Sequence, residues 1–324
     1  MNAQTNSVTS RSDKILVIIN TGSGRKSGDA KHSAFMDRIK GHDGVTIAQL
    51  TPDKDITEHA AEGVEAGYGT IVAAGGDGTI SGVCAALSGT KVKLGVVPLG
   101  TFNFFARSLG IPQDPDEAWD IISAGHFRTV SIGEINGQPF INNSSIGAYA
   151  TVLKVRENIY DRWGRSRVTA YWSMIKAMLM LYRSLRMQIT VDGVTHEIRT
   201  PMAFVAVRPY QLEEYGLPGA EIIRNGEMVV YLAPKGGRLN LLWTALKVLQ
   251  RNVQEDEDYT MLNGRDIVIE TFRSKRLVAW DGEKSWMNDP FHLKILQDYL
   301  TVIVPDTEAI TDKTNNKTED TTKA

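Results

Sequence analysis

The feature that most constrains this chain is a junction: residues 70–74, TIVAA, pass without a break into Gly75-Gly76-Asp77-Gly78-Thr79. An uninterrupted apolar, partly β-branched run suits a strand covered on both faces, as in a parallel sheet. The helical pattern that follows, to about Leu87, makes the glycines a strand-to-helix turn. The same unit recurs along the first third of the sequence. Residues 14–20 (KILVIIN) read as a strand delivering Asn20-Thr21-Gly22-Ser23-Gly24-Arg25-Lys26 ahead of a helix over about 29–40. A strand at 45–50 precedes a helix at about 55–66, and a strand at 93–97 ends in Pro98-Leu99-Gly100-Thr101. Strand, loop and helix at this spacing argue for a doubly wound α/β sheet. Ligands of such sheets sit at the carboxyl ends of the strands, where all three glycine-rich turns lie.

After about residue 128 the pattern changes. Runs at 128–135, 139–146, 187–191, 202–207, 228–232, 266–270 and 276–280 read as strands, with short turns such as Asn136-Gly137 and Asp192-Gly193 between some of them. Two helical segments, about 148–161 and 168–185, interrupt a mostly antiparallel β-rich region. The 324 residues therefore read as an α/β nucleotide-binding lobe over 14–127 and a β-rich lobe over 128–305. The ends, 1–13 and 306–324, have too few apolar residues to offset the entropy of ordering and read as disordered. No internal repeat is visible.

Composition removes several classes of function. A net charge of −2 gives no global field for nucleic acid. The single cysteine, Cys84, excludes an intramolecular disulfide framework and a multi-cysteine zinc site, and fits a reducing, cytoplasmic compartment. No run of about 18 apolar residues is present to span a bilayer, and the first thirteen residues lack the apolar stretch of a secretory signal.

In the Gly75–Thr79 turn, the missing side chains let backbone N–H groups approach phosphate oxygens, and the following helix adds its positive dipole end. An aspartate among those donors suits metal binding or proton transfer; a glycine-rich turn with an Asp cap is the competing reading. The Asn20–Lys26 turn lacks Walker A spacing, so a polar surface loop explains it equally well.

The conjunction is more specific than its parts. GGDGT followed by Pro98-Leu99-Gly100-Thr101-Phe102-Asn103-Phe104-Phe105-Ala106-Arg107 resembles the diacylglycerol-kinase catalytic-domain family, which includes bacterial lipid kinases and sphingoid-base kinases. Asn20-Thr21-Gly22-Ser23-Gly24 is similar to that family's first loop, with Thr21 in place of its usual proline. Asp281-Gly282-Glu283 is similar to its C-terminal acidic motif. The resemblance extends over about 14–305.

The resemblance implies a two-lobed, NAD kinase/diacylglycerol kinase-like fold, with ATP and Mg²⁺ on the α/β lobe and a lipid hydroxyl presented by the other. It implies that Gly75, Gly76, Asp77, Gly78, Thr79, Ile80 and Ser81 hold phosphates, alongside Asn20, Gly24, Thr51, Thr101 and Asn103. An extended backbone would put Asp281 and Glu283 on one face. Glu283, or the pair, is then expected to accept the hydroxyl proton, with Asp77 on the metal or orienting the base. Two departures stand out: Phe104 occupies a position where many members have Asp or His, and Arg224-Asn225-Gly226 replaces a metal-binding Asp-Asp-Gly. No structural metal site is therefore assigned.

Between 154 and 186 lie eight basic and two acidic residues, interleaved with Trp, Tyr and Met. This stretch could rest on anionic lipid, or be a core helix flanked by solvated charges. A membrane lipid is the expected substrate and peripheral membrane contact an expected partner; a homodimer is left open. The competing functions are an NAD kinase-like enzyme and a catalytically inactive lipid-binding homologue.

Overall fold

A computed structural model describes residues 12–20, 29–50, 55–148, 150, 184–233, 238–252, 255 and 258–306. The chain forms two compact units, Met1–Val130 with Tyr299–Ala324, and Ser131–Asp298.

In the first unit, β1 (Ser12–Ile19), β2 (Val45–Gln49), β3 (Tyr68–Gly75) and β4 (Lys93–Pro98) are parallel, in the order β2-β1-β3-β4. Val17, Ile18 and Ile19 in β1 and Ile71 to Ala74 in β3 are buried in succession, without alternation. That is the signature of strands covered on both faces. Helices α2 (Ile56–Glu65) and α3 (Asp77–Leu87) pack on each other and on β3. Helix α1 (Asp29–Lys40) packs against α5 (Pro115–Ala124), where Phe35 meets Trp119 edge to face at 6.0 Å and Arg38 binds Asp116 and Asp120. Between them in sequence lies the short α4 (Phe104–Ser108). The chain leaves β1 toward β2 on one side and β3 toward β4 on the other. The ends of β1 and β3 thus flank the switch point where such sheets bind ligands.

Helix α5 falls where no element was expected, although its signals are complete. Asp114 accepts the Asp116 N–H at 3.0 Å, Pro115 opens the helix, and Gly125 ends it at φ 74°.

The second unit begins within β5 (Phe127–Ile135), which forms a hairpin with β6 (Gln138–Phe140). A six-stranded antiparallel sheet follows the order β12 (Thr260–Gly264), β11 (Met228–Leu232), β10 (Met202–Ala206), β7 (Asn143–Gly147), β14 (Lys275–Trp280), β15 (Glu283–Asn288). Strands β8 (Leu185–Val191), β9 (Val194–Thr200) and β13 (Asp266–Glu270) pair antiparallel with one another and with the start of β16 (Phe291–Ile303). Met187, Ile189, Ile267 and Leu293 from these strands share one core with Val205, Met228, Val230 and Leu232 from the six-stranded sheet. The alternate residues Val229 and Tyr231 lie in a second core with Leu212 of α6 (Pro209–Tyr215) and Ile223 of α7 (Ala220–Arg224). All five residues of β11 are therefore buried. Helix α8 (Arg238–Leu249) completes the unit.

Three sequence expectations are corrected here. The run 139–146 is two strands, β6 and β7, parted at Ile141-Asn142 because that backbone bonds a side chain described below. The second region is not the contiguous segment 128–305: from Tyr299 onward β16 belongs to the first unit, with Val302 paired parallel to Leu94 of β4. Leu185 opens β8 rather than ending a helix. The rest of the helices expected at 148–161 and 168–185 lies almost wholly outside the described residues, as do the expected disordered ends.

Candidate active site

The first-unit site is built from three strand ends fastened to one another. The Asn20 N–H donates to the Ala74 carbonyl at 3.0 Å, and its carboxamide donates to the Thr79 hydroxyl at 3.2 Å. The Leu99 N–H donates to the Gly75 carbonyl at 2.8 Å. The glycines allow this closeness. A Cβ on Gly75 would sit 2.4 Å from Thr79 Oγ1, and one on Gly100 would sit 2.6 Å from the Gly76 Cα. At Gly78 an added Cβ meets nothing within 4 Å, so open space lies over the first turn of α3. The N–H groups of a helix's first turn have no carbonyl partner within the helix, and they face such space with the positive end of the dipole.

These contacts refine the expected phosphate-binding set. Gly76 and Gly100 are glycine because the two loops pack on each other, and Gly75 because the Thr79 side chain folds back over it, whereas Gly78 is glycine beside open space. Ile80 is removed from the set: its side chain is fully buried and its N–H bonds the Gly76 carbonyl at 3.0 Å, as an interior helix residue does. The side chains of Thr79 and Ser81 are also buried. Gly24 and Thr51 lie outside the described residues.

Asp77 faces the start of α4. Its carboxylate receives the Phe105 N–H at 3.5 Å, with those of Asn103 and Phe104 beside it. Burial raises its pKa above the ordinary value, and these N–H groups partly offset the rise. The aspartate thus has a structural reason among the glycines, tying the β3 loop to the β4 loop, besides any metal or proton role. Asn103 is buried in a left-handed conformation (φ 51°). Its Oδ1 accepts from the Gly100 N–H at 3.1 Å, and its Nδ2 donates to the Gly100 carbonyl at 3.0 Å and to Gln113 at 2.9 Å. Its side chain therefore shapes the Pro98–Thr101 turn rather than reaching outward. Thr101 is exposed. Phe104, the departure noted above, stacks on the exposed Phe102 with ring centroids 5.5 Å apart.

In the second unit, the acidic motif is a two-residue hairpin loop. Trp280 pairs with Glu283, and Asp281 and Gly282 between them take φ 45° and 94°. These angles mark a type I′ turn. The expectation that an extended backbone aligns Asp281 and Glu283 is corrected, because no extended backbone joins them. Asp281 is buried and accepts the N–H groups of Ile141 at 2.6 Å, Asn142 at 2.8 Å and Asn143 at 3.1 Å. Glu283 is exposed at the start of β15. Sequence reading missed the other side of this clamp. Arg208, buried, donates to the carbonyls of Ile141 and Ser131, each at 2.8 Å, and Gln211 accepts from the Asn143 amide at 3.1 Å. An arginine directly after the apolar run 202–207 was the available signal.

The first turn of α3, with Gly78 exposed and open space over it, fits a nucleotide's phosphates. Among the described residues no three His, Cys, Asp or Glu side chains group as a metal site. Asp77 alone fits a Mg²⁺ held mainly by phosphate oxygens and water, the usual mode for that ion.

Residues 14–135 match the diacylglycerol kinase catalytic domain. The chain is 37% identical over 146 residues to a diacylglycerol kinase of Bacillus subtilis, covering 43% of this chain and 46% of that protein. It is 40% identical over 146 residues to one of Staphylococcus aureus, covering 43% and 44%. The matches thus span under half the length of these relatives. A Bacillus anthracis structure provisionally assigned as a diacylglycerol kinase is similar over 93% of this chain and 98% of its own, with TM-score 0.69 and 24% identity. Yeast NADH kinase complexed with NADH is similar over 90% and 84%, with TM-score 0.52 and 13% identity. These likenesses show the fold: an N-terminal α/β unit and an antiparallel β-rich one.

Proposed function

We propose that this chain, which carries a diacylglycerol kinase catalytic domain over residues 14–135, is an ATP-dependent lipid kinase transferring the γ-phosphoryl group to a lipid hydroxyl. The observation that carries this reading is the joining of the Asn20, Gly75–Thr79 and Leu99–Asn103 loops by direct hydrogen bonds at adjacent strand ends. Phosphoryl transfer asks a protein chiefly for positioning and electrostatic stabilisation. ATP would supply the transferred group, with Mg²⁺ neutralising charge on its phosphates. The first-turn N–H groups of α3 bind phosphate oxygens, Gly78 leaves them uncovered, and Asp77 supplies the carboxylate for the metal. Asn103 holds the neighbouring turn, so that Thr101 is presented at the surface. Glu283, exposed and on a rigid hairpin, is the acid suited to take the lipid hydroxyl proton. Asp281, engaged by three N–H groups, positions that hairpin.

The acceptor is a diacylglycerol-like or sphingoid-like alcohol. Incubation with radiolabelled ATP and a total lipid extract should label one lipid class, and labelling should require Mg²⁺. If NAD alone becomes labelled when both acceptors are offered, the NAD kinase-like reading replaces this one.

The membrane partner rests on the charge of residues 154–186, which lie outside the described residues except for the last three. Basic residues near an anionic bilayer gain about 1 kcal/mol each, and salt screens the gain. Binding to anionic vesicles should fall with ionic strength and in an Arg162/Arg165/Arg167→Ala variant. Indifference to both would leave lipid access to another surface. Among the described residues, no helix is long and apolar enough to cross a membrane.

A further inference from the structure

In the second unit, a cleft of about 460 Å³ is lined by Ser184, Leu185, Arg186, Thr271, Phe272, Arg273 and Arg276. The first three end the basic 154–186 stretch, and none of the seven belongs to the nucleotide loops or the acidic hairpin. Three of the seven side chains are guanidinium groups and none is a carboxylate. Arg186 comes from the start of β8, Arg273 from the turn joining β13 to β14 and Arg276 from β14, so the fold brings a distant arginine to the two that are close in sequence. Phe272, at φ 57°, projects from that turn with its ring exposed, and the Arg186 guanidinium lies 5.4 Å from the ring centroid.

Bound carboxylates do not account for this concentration of charge. Arg186 pairs with Glu197 at 3.0 Å on the surface. Among the described residues neither Arg273 nor Arg276 forms an ion pair. Arg276 donates its Nε–H to the Thr271 hydroxyl at 2.9 Å, and that hydroxyl in turn is held by Asp289. Arg276 is partly buried; burial first and the like charge of Arg273 second work against its charged form, the nearby Asp289 carboxylate offsets them only in part, and the net shift is downward. Guanidinium groups brought together in a cleft, two of them with donors left to use, match the oxygens of a tetrahedral anion, which several forks can bind at once.

The geometry points to a phosphate-binding site formed by Arg186, Arg273 and Arg276, distinct from the nucleotide loops of the first unit. Its ligand is a phosphate group, either free or carried as a lipid headgroup. Phe272 at the rim offers an apolar contact to an attached chain or ring. The site stands on these residues alone, whatever the acceptor of the kinase reaction.

Arginine modification by phenylglyoxal, read by peptide mass spectrometry of the whole protein, reports each arginine separately from the nucleotide loops. Inorganic phosphate should protect Arg273 and Arg276 while chloride at equal ionic strength should not. In an Arg273→Ala variant, whose lost side chain makes no hydrogen bond or ion pair among the described residues, half-protection of Arg276 should need about tenfold more phosphate or above. The second arm uses phosphatidylcholine vesicles with and without phosphatidic acid. Protection by phosphate and by the acidic vesicles identifies a headgroup as ligand, and protection by phosphate alone identifies a soluble phosphate. If neither probe protects the two arginines beyond the chloride control, or if Arg273→Ala leaves protection of Arg276 unchanged, the cleft is not an anion site.

Discussion

Gly78 and Gly100 sit in neighbouring loops, yet an added methyl group meets different surroundings at each. At Gly78 it meets nothing within 4 Å. Alanine there lowers backbone entropy in the unfolded chain, so Gly78→Ala should raise stability by up to about 1 kcal/mol. The same methyl group enters the space assigned to phosphate, so nucleotide affinity by calorimetry should fall. Gly100→Ala drives a methyl against the Gly76 Cα and should cost about 1–3 kcal/mol, with melting temperature and affinity falling together. Unchanged affinity in Gly78→Ala would remove α3 from the phosphate site. Asp77 gives a pH-dependent counterpart. Its pKa is raised by burial, so the folded state takes up its proton more readily than the unfolded state. Stability is then lost as pH rises from about 3.9, the unfolded value, through the raised folded value, and the penalty is constant above it. Asp77→Asn carries no such charge. Its melting temperature relative to wild type should be most favourable at neutral pH, with the advantage shrinking as pH falls through the raised folded value and gone below about 3.9. A difference independent of pH would mean that burial is not what governs this carboxyl. Lost Mg²⁺ dependence of turnover would support its metal role.

The β14–β15 hairpin is the element in which structure and chemistry separate most cleanly. Asp281 holds three backbone N–H groups of the β6–β7 connection, and hydrogen bonds to a charged group contribute roughly 1.5–3 kcal/mol. Asp281→Ala should therefore lower the unfolding free energy by on the order of 3 kcal/mol in urea titrations. Glu283, exposed on the next strand, should tolerate Gln without loss of stability while kcat falls on the order of 10²-fold and the KM for ATP stays level. Full turnover in Glu283→Gln would place the general base elsewhere. An unshifted urea midpoint in Asp281→Ala would show that the clamp does not hold the hairpin. Both residues were visible in the sequence as an acidic pair. Their division of labour was not, because it follows from a turn of left-handed backbone that local spacing does not reveal.

At the scale of the whole molecule, the catalytic-domain match ends at residue 135, but the first unit does not. Leu300, Val302 and Ile303 are buried, and full burial of such side chains contributes about 1.5–3 kcal/mol each. Together they approach the net stability of a typical domain, about 5–15 kcal/mol. A fragment of residues 1–135 should lack a cooperative thermal transition, and joining residues 299–306 to it through a flexible linker should restore one. A fragment that melts cooperatively unaided would show that the last strand is dispensable. The parallel strands of the first unit, the three glycine turns at their ends and the β-rich character of the rest can all be read from the order of residues. Each is encoded by residues close together in the chain: apolar runs for buried strands, and glycines where a strand turns into a helix. Polar edge strands such as β9 and β15 carry little apolar signal and escaped notice. That Gly100 is glycine because of Gly76, that Asp77 braces α4, and that Asp281 clamps residues 141–143 emerges from the folded molecule alone. So do the sharing of one cleft by three arginines and the return of the last strand to the first unit. These depend on contacts between residues far apart in sequence, whose chemistry becomes specific only when the backbone brings them within hydrogen-bonding or van der Waals distance.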